Sequence, residues 1–116
     1  MVGLTGSSDF RHAYRTFRAM PYPDRPKPGK LQDLGSDLLD IDYQIAGYAG
    51  QVDSGDLSAS DIPDLDEHAR AVKNLLSAFA SVSTTTDEEL QVKQKFHAYV
   101  ATLDRMMVEL QRLAAD

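Results

Sequence analysis

Cysteine and tryptophan are both missing from the 116-residue chain. Without thiols there is no disulfide, no thiolate metal ligand, no redox pair and no cysteine nucleophile. Long apolar runs are missing too: no stretch approaches the ~18 residues that a membrane-spanning helix needs. Met1 to Ser8 offers neither a basic leader nor a long apolar segment, so no secretory signal is read there and a cytoplasmic location is expected. Period-two alternation between turn signals is absent as well, which argues against strands.

Catalytic signatures are scarce. There is no glycine-rich phosphate loop, no Walker lysine and no nucleophile elbow. His12, His68 and His97 are the three side chains with an ordinary titration near neutrality, and none has a serine or acid partner at a motif spacing. Metal signals are thin. Asp56 to Glu67 carries oxygen ligands at calcium-loop positions, but Asp61 stands where the loop needs glycine and Pro63 follows. Asp64 and His68 are four apart, without an evident third ligand. No metal, no cofactor and no enzymatic activity are expected; a small enzyme with a pocket the pattern does not announce stays open as an alternative.

What is present is one domain's length and a split of charge. Twelve basic groups stand against 18 acidic ones, a net charge of -6. Residues 1–30 hold six basic groups and two acidic, a balance of +4, while residues 31–116 hold six and 16, a balance of −10. A basic arm on an acidic body reads as an interaction tail.

Residues 21–29 contain four prolines, from Pro21 to Pro28, and predict an extended, semi-rigid linker between an arm (1–20) and a body (30–116). In the body, Leu31, Leu34, Leu38, Ile45 and Val52 belong to a heptad stripe that predicts a helix over about 30–53. Asp53 to Ser60 is turn-rich. Ser60 or Asp61 then caps a second helix, with Pro63 in its first turn and Val72 and Phe79 on its stripe. Thr86 and Glu89 read as a capping box for a third helix over about 87–114. The expected fold is all-α: an antiparallel three-helix up-down-up bundle with a short N-terminal helical arm that can pack as a fourth helix. The third helix outruns the second, and that overhang can seed a dimer or be covered by the arm.

The arm carries the strongest functional pattern. Phe10, Tyr14 and Phe17 are spaced 4 and 3, and Arg11, Arg15 and Arg18 repeat that spacing one residue later. On a helix these are two adjacent stripes, and so short a helix needs a surface to form on. Four surfaces fit: the protein's own bundle, another protein or a second copy, nucleic acid through phosphates and stacking, and an anionic membrane surface. The acidic body repels nucleic acid, and three rings with no Leu or Ile among them make a weak membrane anchor. Asp33, Asp37 and Asp40, again spaced 4 and 3, share one face of the first body helix, as a solvated face or a strip for basic groups. Gly47 and Gly50 in the same helix point to close helix packing, fraying or a notch for a partner side chain. The function expected is a non-enzymatic protein–protein interaction module: an adaptor, regulator or inhibitor. The site residues are Phe10, Arg11, Tyr14, Arg15, Phe17, Arg18, Asp33, Asp37 and Asp40; a nucleic-acid binder using the arm is the alternative.

Overall fold

The computed structural model describes residues 2–24 and 26–115, with side chains from Ser8 onward. Four α-helices follow one another: α1 (Val2–Ala19), α2 (Lys30–Ser54), α3 (Leu65–Ser81) and α4 (Asp87–Ala115), with one 3₁₀ turn at Ala59–Asp61. No strand occurs among the described residues. All four helices pack together, so the N-terminal segment is a fourth helix of the bundle, and it begins well before the Phe10 to Phe17 stripe.

The helix ends follow from local chemistry. α2 stops at Gly55, whose φ of 84° suits a residue without Cβ. There the Asp56 N–H reaches back to the Gln51 carbonyl at 2.9 Å. α4 starts at Thr86, whose Oγ1 accepts the Glu89 N–H at 3.1 Å. Glu89 returns a carboxylate oxygen to the Thr85 N–H at 3.0 Å, one residue earlier than a standard capping box. The start of α3 departs from the expectation. Ser60 and Asp61 lie in the 3₁₀ turn, and the residue preceding α3 is Asp64, in left-handed conformation (φ 54°) with no side-chain cap bond. Burial explains the shift: Ala59 and Ile62 are pulled into the core, and the helix begins only after the chain has passed Pro63.

α4 is the central element. α1 and α3 lie along it, and α2 packs mainly on α3. Along α3 and α4 the contacts run in opposite senses. Asp66 accepts a hydrogen bond from Gln111, Lys73 pairs with Asp104 at 3.1 Å, and Phe79 stacks on Phe96 with centroids 5.2 Å apart. The heptad stripes supply the core: Leu38 and Ile45 from α2, Val72 and Phe79 from α3, Phe96 and Leu103 from α4 are all buried. The molecule is elongated, 51 × 23 × 19 Å, because α4 alone runs about 43 Å at ~1.5 Å per residue.

The proline-rich segment is more than a spacer. Its Tyr22 donates a hydrogen bond to the Gly35 carbonyl at 3.2 Å and sets its ring edge-on to Phe96 and Tyr99, with centroids at 6.0 and 5.0 Å. The segment thereby straps the end of α1 to α2 and α4.

Candidate interaction surface

The two stripes of α1 have opposite fates. Phe10, Tyr14 and Phe17 are buried, Phe10 to 1% exposure. Phe10 stacks on Tyr14 at 5.8 Å, and Phe17 meets Tyr99 of α4 at 5.5 Å. Arg11, Arg15 and Arg18 are exposed. Arg18 lies over the outer face of the Tyr14 ring, 5.8 Å from its centroid, a cation–π contact that uses none of its hydrogen-bond donors. The rings therefore act as an anchor, and a 3.6-residue repeat turns the guanidinium groups, each one residue further on, toward solvent.

Asp33, Asp37 and Asp40 of α2 are exposed likewise. The ion pairs found among the described residues join Lys27 to Glu88, Lys73 to Asp104, and Arg105 and Arg112 to Glu109. None includes the three arginines of α1 or these three aspartates. The fold thus brings the ring stripe to the core and does not bring the arm's cations to the acidic strip.

Beside that strip lies an apolar row that periodicity did not single out. Leu39 is 54% exposed and Tyr43 83%, one helical turn apart. Gly47 continues the row. The three α2 glycines differ in what surrounds them. A Cβ on Gly50 would meet the Tyr14 hydroxyl at 3.3 Å, tighter than ordinary contact, whereas one on Gly35 would sit in ordinary contact with Phe96 at 3.5 Å, so close packing accounts for Gly50 alone. At Gly47 nothing lies within 4 Å. Helix-interior glycine costs about 1 kcal/mol relative to alanine, and at Gly47 no internal contact offsets it. An open depression of ≈ 530 Å³ surrounds it, bordered by Tyr43, Gln44, Tyr48 and Gln51.

Inward of that row sits a polar cluster. Tyr99 donates a hydrogen bond to Asp42 at 2.7 Å. Burial raises the Asp42 carboxyl above its ordinary value, and the Tyr99 hydrogen bond partly restores it. Burial also raises both phenols, and the neighbouring Asp42 charge adds to it. These groups bind α1, the strap, α2 and α4 into one body through Tyr22, Phe17, Tyr99 and Asp42.

A second group escaped the periodic pattern: Glu109 of α4, 2% exposed. Its Oε1 accepts from Arg112 at 3.2 Å and faces Arg105 at 3.6 Å, while its Oε2 has no hydrogen-bond partner. A glutamate at a stripe edge reads as surface, so only packing reveals it. Among the described residues no three His, Asp or Glu side chains gather where a metal ion could be held. A further open depression, ≈ 580 Å³, lies at the 3₁₀ turn and the start of α3 beside Arg70 and Glu67, and holds none of the three histidines. No helix among the described residues is long and apolar enough to cross a membrane.

Comparison with protein-family models, with curated proteins and with solved structures returns no match to this chain.

Proposed function

We propose that this protein is a non-enzymatic protein–protein interaction module, an adaptor, regulator or inhibitor, working through two oppositely charged helix faces. One observation carries the reading. The arm's cations Arg11, Arg15 and Arg18 and the body's anions Asp33, Asp37 and Asp40 stand exposed, and no ion pair among the described residues joins them. In this reading residues 1–20 are the arm, residues 21–29 a strap, and residues 30–116 an acidic up-down-up bundle. The opposite running of α3 and α4 supports that order. Phe10, Tyr14 and Phe17 serve the interaction indirectly, by fixing the arginines on a rigid helix, which lowers the ordering cost of binding. A cysteine-free chain suits the reducing cytoplasm.

The nucleic-acid alternative rests on the same three guanidinium groups. It is weakened by the burial of the rings that base stacking requires, and by a body that carries −10.

Affinity capture from cell lysate separates these readings. It is run with the wild-type chain, with Arg11→Glu/Arg15→Glu/Arg18→Glu and with Asp33→Lys/Asp37→Lys/Asp40→Lys, each with and without nuclease. A protein retained by the wild type, lost with at least one reversed face and indifferent to nuclease supports the module. Retention abolished by nuclease favours the nucleic-acid reading. Equal retention by all three chains removes the charged faces from the site.

A further inference from the structure

We infer that the outer face of α2 is a docking surface for α1 of a second copy of this chain, in a head-to-tail contact. The inference rests on the proposed role of the charged faces and names an occupant for one of them.

Two features of the α2 face converge, an apolar pair and an acidic row, with an open glycine position beyond them. Leu39 and Tyr43 leave large apolar area in water on a helix whose other large apolar side chains are buried or half-buried. Gly47, four residues further, opens a notch with no internal tenant. Asp33, Asp37 and Asp40 run alongside, and Asp40 is three residues from Tyr43, so the acidic and apolar rows adjoin. Past Lys30 at its first position, α2 carries five aspartates and no basic residue. An occupant must therefore be basic and helical or extended, and one that pairs with these three aspartates need not reach Gly47.

The chain itself displays such a segment. Arg11, Arg15 and Arg18 are spaced 4 and 3 on α1, and Asp33, Asp37 and Asp40 are spaced 4 and 3 on α2. Two helices laid side by side and pointing the same way match all three pairs in one register. Arg11 then faces Asp33, Arg15 faces Asp37 and Arg18 faces Asp40; pointing the opposite way, the spacings mismatch by one residue. The exposed neighbours of the arginines on α1 are small or polar, Ser8, His12, Thr16 and Ala19, which leaves room for Leu39 and Tyr43. The Tyr43 ring also offers a face to a guanidinium. A symmetric contact of α2 with α2 is disfavoured, because it brings two acidic rows together. A contact between unlike faces is heterologous: it closes into a ring where the rotation between copies allows and runs on as a filament where it does not. Exposed ion pairs are weak and screened, so the association is also concentration- and salt-dependent.

Sedimentation velocity on the full chain tests this, at about 10 mM and about 1 M salt, where the screening length falls from about 30 Å to about 3 Å. The expected result is an average mass that rises with concentration in low salt and returns to monomer in high salt. Arg11→Glu/Arg15→Glu/Arg18→Glu alone stays monomeric, as does Asp33→Lys/Asp37→Lys/Asp40→Lys alone. Their mixture associates again, since the first keeps the acidic face and the second the basic one. Recovery on mixing also shows that both variants are folded. Tyr43→Ser in the wild-type background weakens association about tenfold, as for the loss of an interface aromatic. A wild-type chain that stays monomeric at every concentration in low salt overturns the inference, as does association that survives either reversal or a mixture that remains monomeric. A monomeric chain that still captures a foreign protein through its charged faces refutes the self-contact and leaves the interaction module standing.

Discussion

The Tyr99–Asp42 hydrogen bond lies where α1, the strap, α2 and α4 meet, and its electrostatics give the molecule a pH signature. Burial raises Asp42 above its ordinary 3.8, so the folded chain keeps a proton there that the unfolded chain releases. The stability this group contributes is complete below its unfolded value and is lost as pH rises through its folded value. Asp42→Asn keeps the acceptor for Tyr99 and removes the titration. The expected outcome is a stability curve that falls less as pH rises above the ordinary carboxyl value, read from urea unfolding midpoints. Tyr22 and Tyr99 act in the same sense at the alkaline end. Both are raised above 10.0, so stability falls as pH rises past that value. Tyr99→Phe is expected to lower stability by about 1–2 kcal/mol at neutral pH, because Asp42 loses its donor.

Glu109 sets a different problem at the same scale. Its carboxylate is almost wholly buried, and its cations lie on the surface, Arg112 with 66% of its side chain exposed. Removing a cation leaves the buried charge less compensated, whereas an amide in place of the carboxylate removes the charge itself. Arg112→Ala is therefore expected to cost about 1 kcal/mol, discounted for exposure, and Glu109→Gln less than that. Denaturant unfolding of the two variants checks the order, and the reverse order contradicts it.

Among the elements, α2 shows most clearly what a sequence pattern can and cannot reveal. Its heptad stripe is legible because 3.6-residue periodicity is a local property, and Leu31, Leu34, Leu38 and Ile45 are all buried as that pattern requires. The same holds for α3 and α4, and for Thr86, whose capping role needs only neighbours within four residues. The start of α3 was not legible, because Ile62 and Ala59 are held by tertiary burial and not by local propensity. Nor was Tyr22, which sits among prolines that read as linker; its partners Gly35, Phe96 and Tyr99 are distant in sequence. The charged residues of the arm and of α2 could be marked as stripes from spacing alone. That the rings would be spent on the core, and that Leu39 and Tyr43 would be left outside, depended on where α1 came to rest. The glycines test this picture at element scale. Gly47→Ala gains helix propensity with nothing in its way and is expected to stabilise by about 1 kcal/mol, raising Tm by roughly 4 °C. Gly50→Ala gains the same propensity but presses on the Tyr14 hydroxyl, so its net change is smaller. Thermal unfolding of both variants reads the difference.

For the molecule as a whole, the decisive feature is that a basic N-terminal helix is docked along an acidic body by aromatic burial, with no ion pair between Arg11, Arg15 or Arg18 and the acidic strip. Hydrophobic contacts are insensitive to salt screening, so this arrangement keeps α1 in place while its cations remain available to another molecule. A truncation such as Phe10→Ala or Phe17→Ala attacks the docking directly and is expected to cost about 3–5 kcal/mol, large for a domain of this size. The most direct test of the account is native-state hydrogen exchange on the free, full-length protein. The structure predicts that the amides of Ala13 to Phe17 are protected to the same order as those of Val100 to Leu110 in α4, in low and in high salt. Exchange of the α1 amides at unstructured-chain rates while α4 stays protected would contradict it: the rings would then be free in solution, and the arginine face would not be a fixed surface.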